Sequence, residues 1–210
     1  MLVVVGGHSR NIGKTSVVCG LIHSLAHAQW QAFKITQHGH SVCNNTGDPC
    51  DCAPGDATHP YAIDQQHKPD STDSGRYLQA GATKSWWVRT AQGELAEALP
   101  ALRERFAAAE HNIAESNSLL RYLRPDLYVV VVNFDVDDRK DSARLFLDRA
   151  DAFVVTGGSQ PWPDTPARWF EKPMFRMEDM TQLPEGLAQW VSGRLDLRPD
   201  AIPQPLPGAR

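Results

Sequence analysis

The spacing of apolar residues changes several times along this chain, and the changes mark its elements. Leu2-Val3-Val4-Val5 is a β-branched run ending in Gly6-Gly7, which predicts a buried parallel strand entering a tight loop. From Lys14 the period turns helical, with Val17, Val18, Leu21, Ile22 and Leu25 at three- and four-residue spacing. Further strands are predicted over 31–35, 84–89, 112–115, 127–132 and 152–156, with Met174-Phe175 as a short edge strand. Helices are predicted over 74–80, 143–150 and 183–195. Another is marked by Leu95, Leu99, Leu102 and Phe106, with Pro100 as a kink or restart.

Between 36 and about 74 the periodicity fades into Asn, Asp, Pro, Gly, His and Cys, which predicts a long loop or insertion. Prolines 199, 203, 205 and 207 predict an extended tail. The expected organisation is one P-loop nucleotide-binding domain over 1–195, a Cys/His-rich insertion at about 36–72 and a Pro-rich tail over 196–210. Strands alternating with helices predict an α/β fold, a mostly parallel sheet covered by helices on both faces. Ligands of such sheets bind at the carboxyl ends of the strands, where Gly7, Lys34, Glu115 and Asn133 are all expected.

Composition narrows the function classes. With 41% hydrophobic residues the chain can bury a core without a disulfide framework. A net charge of −4 leaves no general basic field for nucleic acid or an anionic membrane. No apolar run approaches the roughly 20 residues that span a bilayer. The first residues carry no leader signature, so a cytoplasmic protein with reduced thiols is expected.

The segment Gly7-His8-Ser9-Arg10-Asn11-Ile12-Gly13-Lys14-Thr15-Ser16 lies between the first strand and the first helix. Glycines let the backbone curl so that N–H groups point at phosphate oxygens, and the helix start presents its dipole to the same anion. Gly7, Asn11, Ile12, Gly13, Lys14, Thr15 and Ser16 are the candidate nucleotide-binding residues. Lys14 is expected at the β- and γ-phosphates and the Thr15 hydroxyl at Mg²⁺. Position 8 is histidine, so the nearest first glycine is Gly7, one residue further from Gly13 than in the usual motif.

Mg²⁺ prefers oxygen ligands. Glu115 ends a short strand and is a candidate partner of Thr15 there; Asp73, ahead of a helix, is either a second ligand or an N-cap. Lys34 is read as a charge-stabilising group for phosphoryl transfer, as a holder of an acidic substrate, or as a strand-end lysine with its head in solvent. Asn133 follows the strong fifth strand, where related GTPases read the base, although the remainder of that motif is missing. His8 and Arg10 are read as phosphate or subunit contacts or as exposed loop residues.

Phe33-Lys34-Ile35 followed by His38 and His40, the run Asp73-Ser74-Gly75-Arg76-Tyr77-Leu78-Gln79-Ala80-Gly81-Ala82 and the strand ending in Glu115 together resemble the molybdopterin-guanine dinucleotide biosynthesis protein B family. The resemblance spans roughly residues 2–156. It implies a dimeric P-loop protein that binds GTP and assists nucleotide attachment to the molybdenum cofactor, with Lys14 and Thr15 at phosphate and Mg²⁺ and Asp73 and Glu115 as acidic partners. It also implies slow hydrolysis, GTP ahead of ATP, and molybdopterin or its proteins as partners. The longer phosphate loop is closer to dethiobiotin synthetase, whose lysine after the second strand and strand-end glutamate are matched by Lys34 and Glu115. That similarity implies an ATP-dependent ligase or kinase acting on a small molecule.

His38, His40, Cys43, Cys50 and Cys52 place five potential soft ligands within fifteen residues, with His59 and His67 further on. Cys43, Cys50 and Cys52 with His40 would satisfy tetrahedral zinc. An iron–sulfur cluster and a metal-free loop stay open beside it. A third functional reading is therefore a metal-stapled binding module that uses nucleotide as a switch.

Overall fold

The computed structural model describes residues 1–38, 60–139 and 141–197, with the side chains of 38, 141 and 142 outside the description. Eight strands form one sheet: β1 (Leu2–Gly7), β2 (Gln31–His38), β3 (Tyr61–Gln66), β4 (Lys84–Ala91), β5 (Asn112–Glu115), β6 (Leu127–Asn133), β7 (Ala152–Gly157) and β8 (Met174–Arg176). Their order is β3-β4-β2-β5-β1-β6-β7-β8. Every pairing is parallel except β3 against β4. The helices are α1 (Lys14–Ser24), α2 (Asp73–Gln79), α3 (Leu95–Ala107), α4 (Asp141–Arg144) and α5 (Leu187–Leu195). This is the expected α/β architecture.

Two apolar layers cover the sheet because strand side chains alternate between its faces. Val3 and Val5 of β1, with Leu127, Val129 and Val131 of β6, pack with α1 residues Val17, Val18, Leu21 and Ile22 and with α5. Val4, Tyr128, Val130 and Val132 face the other way, onto Leu95, Ala98 and Leu102 of α3. These side chains are fully buried or nearly so, each contributing about 1.5–3 kcal/mol of burial for a residue of Val or Leu size. The sheet is therefore a rigid platform whose central strand, β1, delivers the glycine loop.

Three expectations are corrected. The stretch read as loop from 36 to 74 contains the end of β2 and all of β3, an antiparallel edge strand. Its sequence, Tyr-Ala-Ile-Asp-Gln-Gln, ends in three polar residues and buries only Ala62 completely, and Asp64 on it forms an ion pair with the buried Arg89 of β4. The helix read over 143–150 is the four-residue α4 followed by a 3₁₀ turn at Leu147–Arg149. The last helix starts at Leu187 and not at 183, after Pro184 and a left-handed Gly186 (φ 77°) that set its N-terminus. Pro100 stays inside a continuous α3.

Candidate active site at the carboxyl edge of the sheet

β1 ends in Gly7 and the chain turns through residues 8–13 into α1. Gly13 is the N-cap of α1 with φ 93°, a left-handed conformation natural to glycine, and Asn11 also adopts a positive φ of 54°. No side chain caps α1 and its first turn holds no acid, so the positive end of its dipole is presented to the cleft that Gly13, Lys14, Thr15 and Ser16 line. A β-carbon on Gly7 would sit 2.9 Å from both Ile12 Cδ1 and Lys14 Cδ, which explains why the loop's first glycine stands there. The Lys14 ammonium lies over the loop and donates to the Ser9 carbonyl at 2.6 Å.

Beside the loop four elements converge. Parallel pairing sets Lys34 of β2 opposite Glu115 of β5, and the Lys34 Nζ is 2.6 Å from Glu115 Oε1. The same nitrogen is 2.6 Å from Asp73 Oδ2 at the start of α2. The other oxygen of Glu115, Oε2, accepts from the Thr15 hydroxyl at 2.8 Å and from the Tyr77 hydroxyl at 2.6 Å. Glu115 is 4% exposed, so this carboxylate is buried with donors on both oxygens. Asp73 is more open and also interacts with the Thr15 hydroxyl.

The charges respond to these contacts. Burial alone would lower the Lys34 ammonium, but Glu115 and Asp73 outweigh it and hold its pKa above the ordinary value. Burial pushes Asp73 up, yet the Lys34 contact prevails and keeps it below the usual carboxylate value. Tyr77 is driven well above its ordinary pKa by burial and then by the Glu115 charge, so it stays a neutral donor. Cys19, on α1 nearby, is raised to about 11 by burial, which fits a thiol of the core layer.

Asp73 is not the N-cap of α2. Thr72 is, its hydroxyl accepting from the Gly75 N–H at 3.1 Å, which frees Asp73 for Lys34. Lys34 in turn is no strand-end lysine reaching into solvent, since β2 continues four residues beyond it. His8 points into the protein: it is buried, its Nε2 lies 3.1 Å from the Val136 carbonyl oxygen, and its ring meets Trp162 edge-on at 4.8 Å. Arg10 lines the cleft. The Asn133 side chain accepts from the Asp135 N–H at 3.0 Å and packs close to Gly157, away from the cleft lining.

Two positioning residues carry no sequence signal of their own. Asn117 grips the main chain of Gly7 at both its polar groups, accepting from its N–H at 2.9 Å and donating to its carbonyl at 2.7 Å. Thr156, at the end of β7, donates to the Ile12 carbonyl at 2.9 Å. Neither sits in a motif; only the pairing of β1 with β5 and β6, and of β6 with β7, brings them to the loop.

The resulting cleft encloses about 820 Å³. One end is the glycine loop with Met180 beside Gly13; the other runs past Lys34 to Thr36, Gln37 and Gln92. His40, Cys43, Cys50 and Cys52 lie outside the described residues, as does the tail from 198 onward. Among the described residues no group of three or more His, Cys, Asp or Glu side chains gathers, and no helix is long and apolar enough to cross a membrane.

No protein-family model matches the sequence, and no curated protein matches it. Among solved structures the chain is similar to LpxK from Aquifex aeolicus, an "apo" form crystallised in complex with ATP, at 17% identity and a TM-score of 0.47. The match covers 89% of this chain and 59% of that one, so the chain spans well under two thirds of LpxK. At that distance a shared layout of strands and helices carries no substrate or activity with it.

Proposed function

We propose that this protein binds a Mg²⁺–nucleoside triphosphate in the cleft and hydrolyses it slowly, with the phosphates on loop 7–16. The observation that carries this reading is the meeting of the Thr15 hydroxyl with Glu115 and Asp73 at the start of α1, directly beside the glycine loop. These are oxygen donors of the kind Mg²⁺ selects. In donating its proton to Glu115, the Thr15 hydroxyl keeps lone pairs for a metal. Thr15, Asp73 and Glu115 would hold the ion, which when bound neutralises charge on the β- and γ-phosphate oxygens. Lys14, on the loop itself, and Lys34 would stabilise charge on the transferring phosphoryl group.

The resemblance of Phe33-Lys34-Ile35 and of Asp73–Ala82 supports the finer proposal: a GTP-preferring, homodimeric accessory protein of molybdenum cofactor maturation. In that reading the Cys43, Cys50, Cys52 and His40 segment is a zinc staple. A second reading, an ATP-dependent ligase or kinase, is favoured by two observations. Asn133 engages its own turn and not the cleft, and the cleft extends past Lys34 along Thr36, Gln37 and Gln92, leaving room for a polar acceptor.

Calorimetric titration of GTP and ATP with Mg²⁺ against the wild type and Lys14→Ala tests these readings. The expected result is nanomolar-to-micromolar binding that prefers GTP and weakens about ten- to a hundredfold without the lysine. A preference for ATP would transfer the assignment to the ligase or kinase. Absence of binding by either nucleotide would overturn both.

A further inference from the structure

Lys34 stands where a metal would compete with it. Its Nζ is 2.6 Å from Glu115 Oε1 and 2.6 Å from Asp73 Oδ2, so the two carboxylate oxygens are separated by no more than twice that distance. Two carboxylates this close repel one another strongly unless a cation lies between them. Here the cation is covalently part of the chain. The remaining donors on Glu115, the hydroxyls of Thr15 and Tyr77, are neutral, and Arg76 acts on Asp73 only through its field, so Lys34 is the cation in contact with both carboxylates.

We propose that Lys34 is a built-in counter-cation of the metal site, closing Asp73 and Glu115 to divalent ions until a nucleotide's phosphates offer the ammonium another partner. The proposal rests on the Mg²⁺–nucleotide reading and adds to it an order of events: the metal enters with nucleotide and does not reside beforehand. The cluster of Asp73, Glu115 and Lys34 carries one net negative charge. Removing the lysine charge doubles it and exposes both carboxylates to solvent cations. A divalent ion placed beside the ammonium would instead meet like-charge repulsion at short range.

The test is calorimetric titration of Mg²⁺ into the full chain without nucleotide, on the wild type, Lys34→Met, Lys34→Arg and Lys34→Met/Glu115→Gln. The expected result is that Lys34→Met binds Mg²⁺ at least about tenfold more tightly than the wild type. Lys34→Arg, which keeps the charge, should behave as the wild type. The double variant should lose the gain, which ties it to this cluster and not to the Cys/His segment. Equal affinities of wild type and Lys34→Met would overturn the proposal, and so would an equal gain in Lys34→Arg. Should Lys34→Met not fold, Lys34→Gln carries the same expectation, since its amide still donates to a carboxylate but bears no charge. Failure of the underlying reading shows separately, as a wild type that binds no Mg²⁺–nucleotide.

Discussion

The glycine loop rests on two shoulders of different character. On the side of β2 and β5 the support is ionic: Lys34, Asp73 and Glu115, with the hydroxyls of Thr15 and Tyr77. Toward β6 and β7 the contacts are mainly of uncharged groups: Thr156 holds the Ile12 carbonyl and His8 is wedged between the Val136 carbonyl and Trp162, with one carboxylate, Asp138, accepting from the Ser9 hydroxyl at 3.2 Å. Burial keeps the His8 imidazole below its ordinary pKa, which favours the uncharged ring on that side. The ionic shoulder contains groups able to exchange partners with a metal or phosphate. The other flank holds the loop chiefly through main-chain carbonyls, those of Ile12 and Val136. Chemistry and geometry are thus divided between the two flanks of one loop.

The division is broken most severely at Glu115. Its replacement by Ala leaves Lys34 with a single carboxylate in a mostly buried position and strips the acceptor from two hydroxyls, so a loss of about 3 kcal/mol is expected in urea unfolding. A loss below about 1 kcal/mol would mean that water replaces the carboxylate and that the ionic shoulder is not structural. Asn117→Ala comes next. It removes both bonds to the main chain of Gly7, and about 1–2 kcal/mol should be lost in the same assay, with weaker nucleotide binding at unchanged charge.

The smallest effect concerns pH. Asp73 has a folded pKa below 3.8, so its contribution is present above that value and disappears as pH falls through the folded pKa. Lys34, raised above 10.5, contributes below that value and loses its contribution as pH climbs through the folded pKa. The stability difference between wild type and Asp73→Asn should therefore stay flat from about pH 5 to 9 and narrow outside that range, at the acid end as Asp73 is protonated and at the alkaline end as Lys34 loses its proton. A slope near neutrality, read from denaturation midpoints across that range, would show that another group controls the pair. Asp73 is partly exposed, so added salt should shrink the difference as well.

Much of this was legible in the residues themselves. Val3-Val4-Val5 before Gly6-Gly7 and the helical spacing from Lys14 placed β1, the loop and α1 where they stand, because strand and helix periods are local properties of the chain. The edge strand β3 was hidden, since its second half, Asp64-Gln65-Gln66, carries no apolar alternation and reads as loop. Residues 143–150 present helical spacing but close into one helical turn and a 3₁₀ turn before β7.

At the site, the sequence by itself determined the Gly-Lys-Thr turn, the acids at 73 and 115 and the lysine at 34, because each belongs to a residue type that its element and chemistry demand. Only the tertiary structure decided which of them meet. Lys34 and Glu115 are 81 residues apart and become neighbours through the register of β2 against β5. Asn117 reaches Gly7 across 110 residues and Thr156 reaches Ile12 across 144. Hydrogen bonds and ion pairs of that kind depend on strand order, and strand order is set by the burial of two whole apolar layers. No short stretch of the chain contains that information.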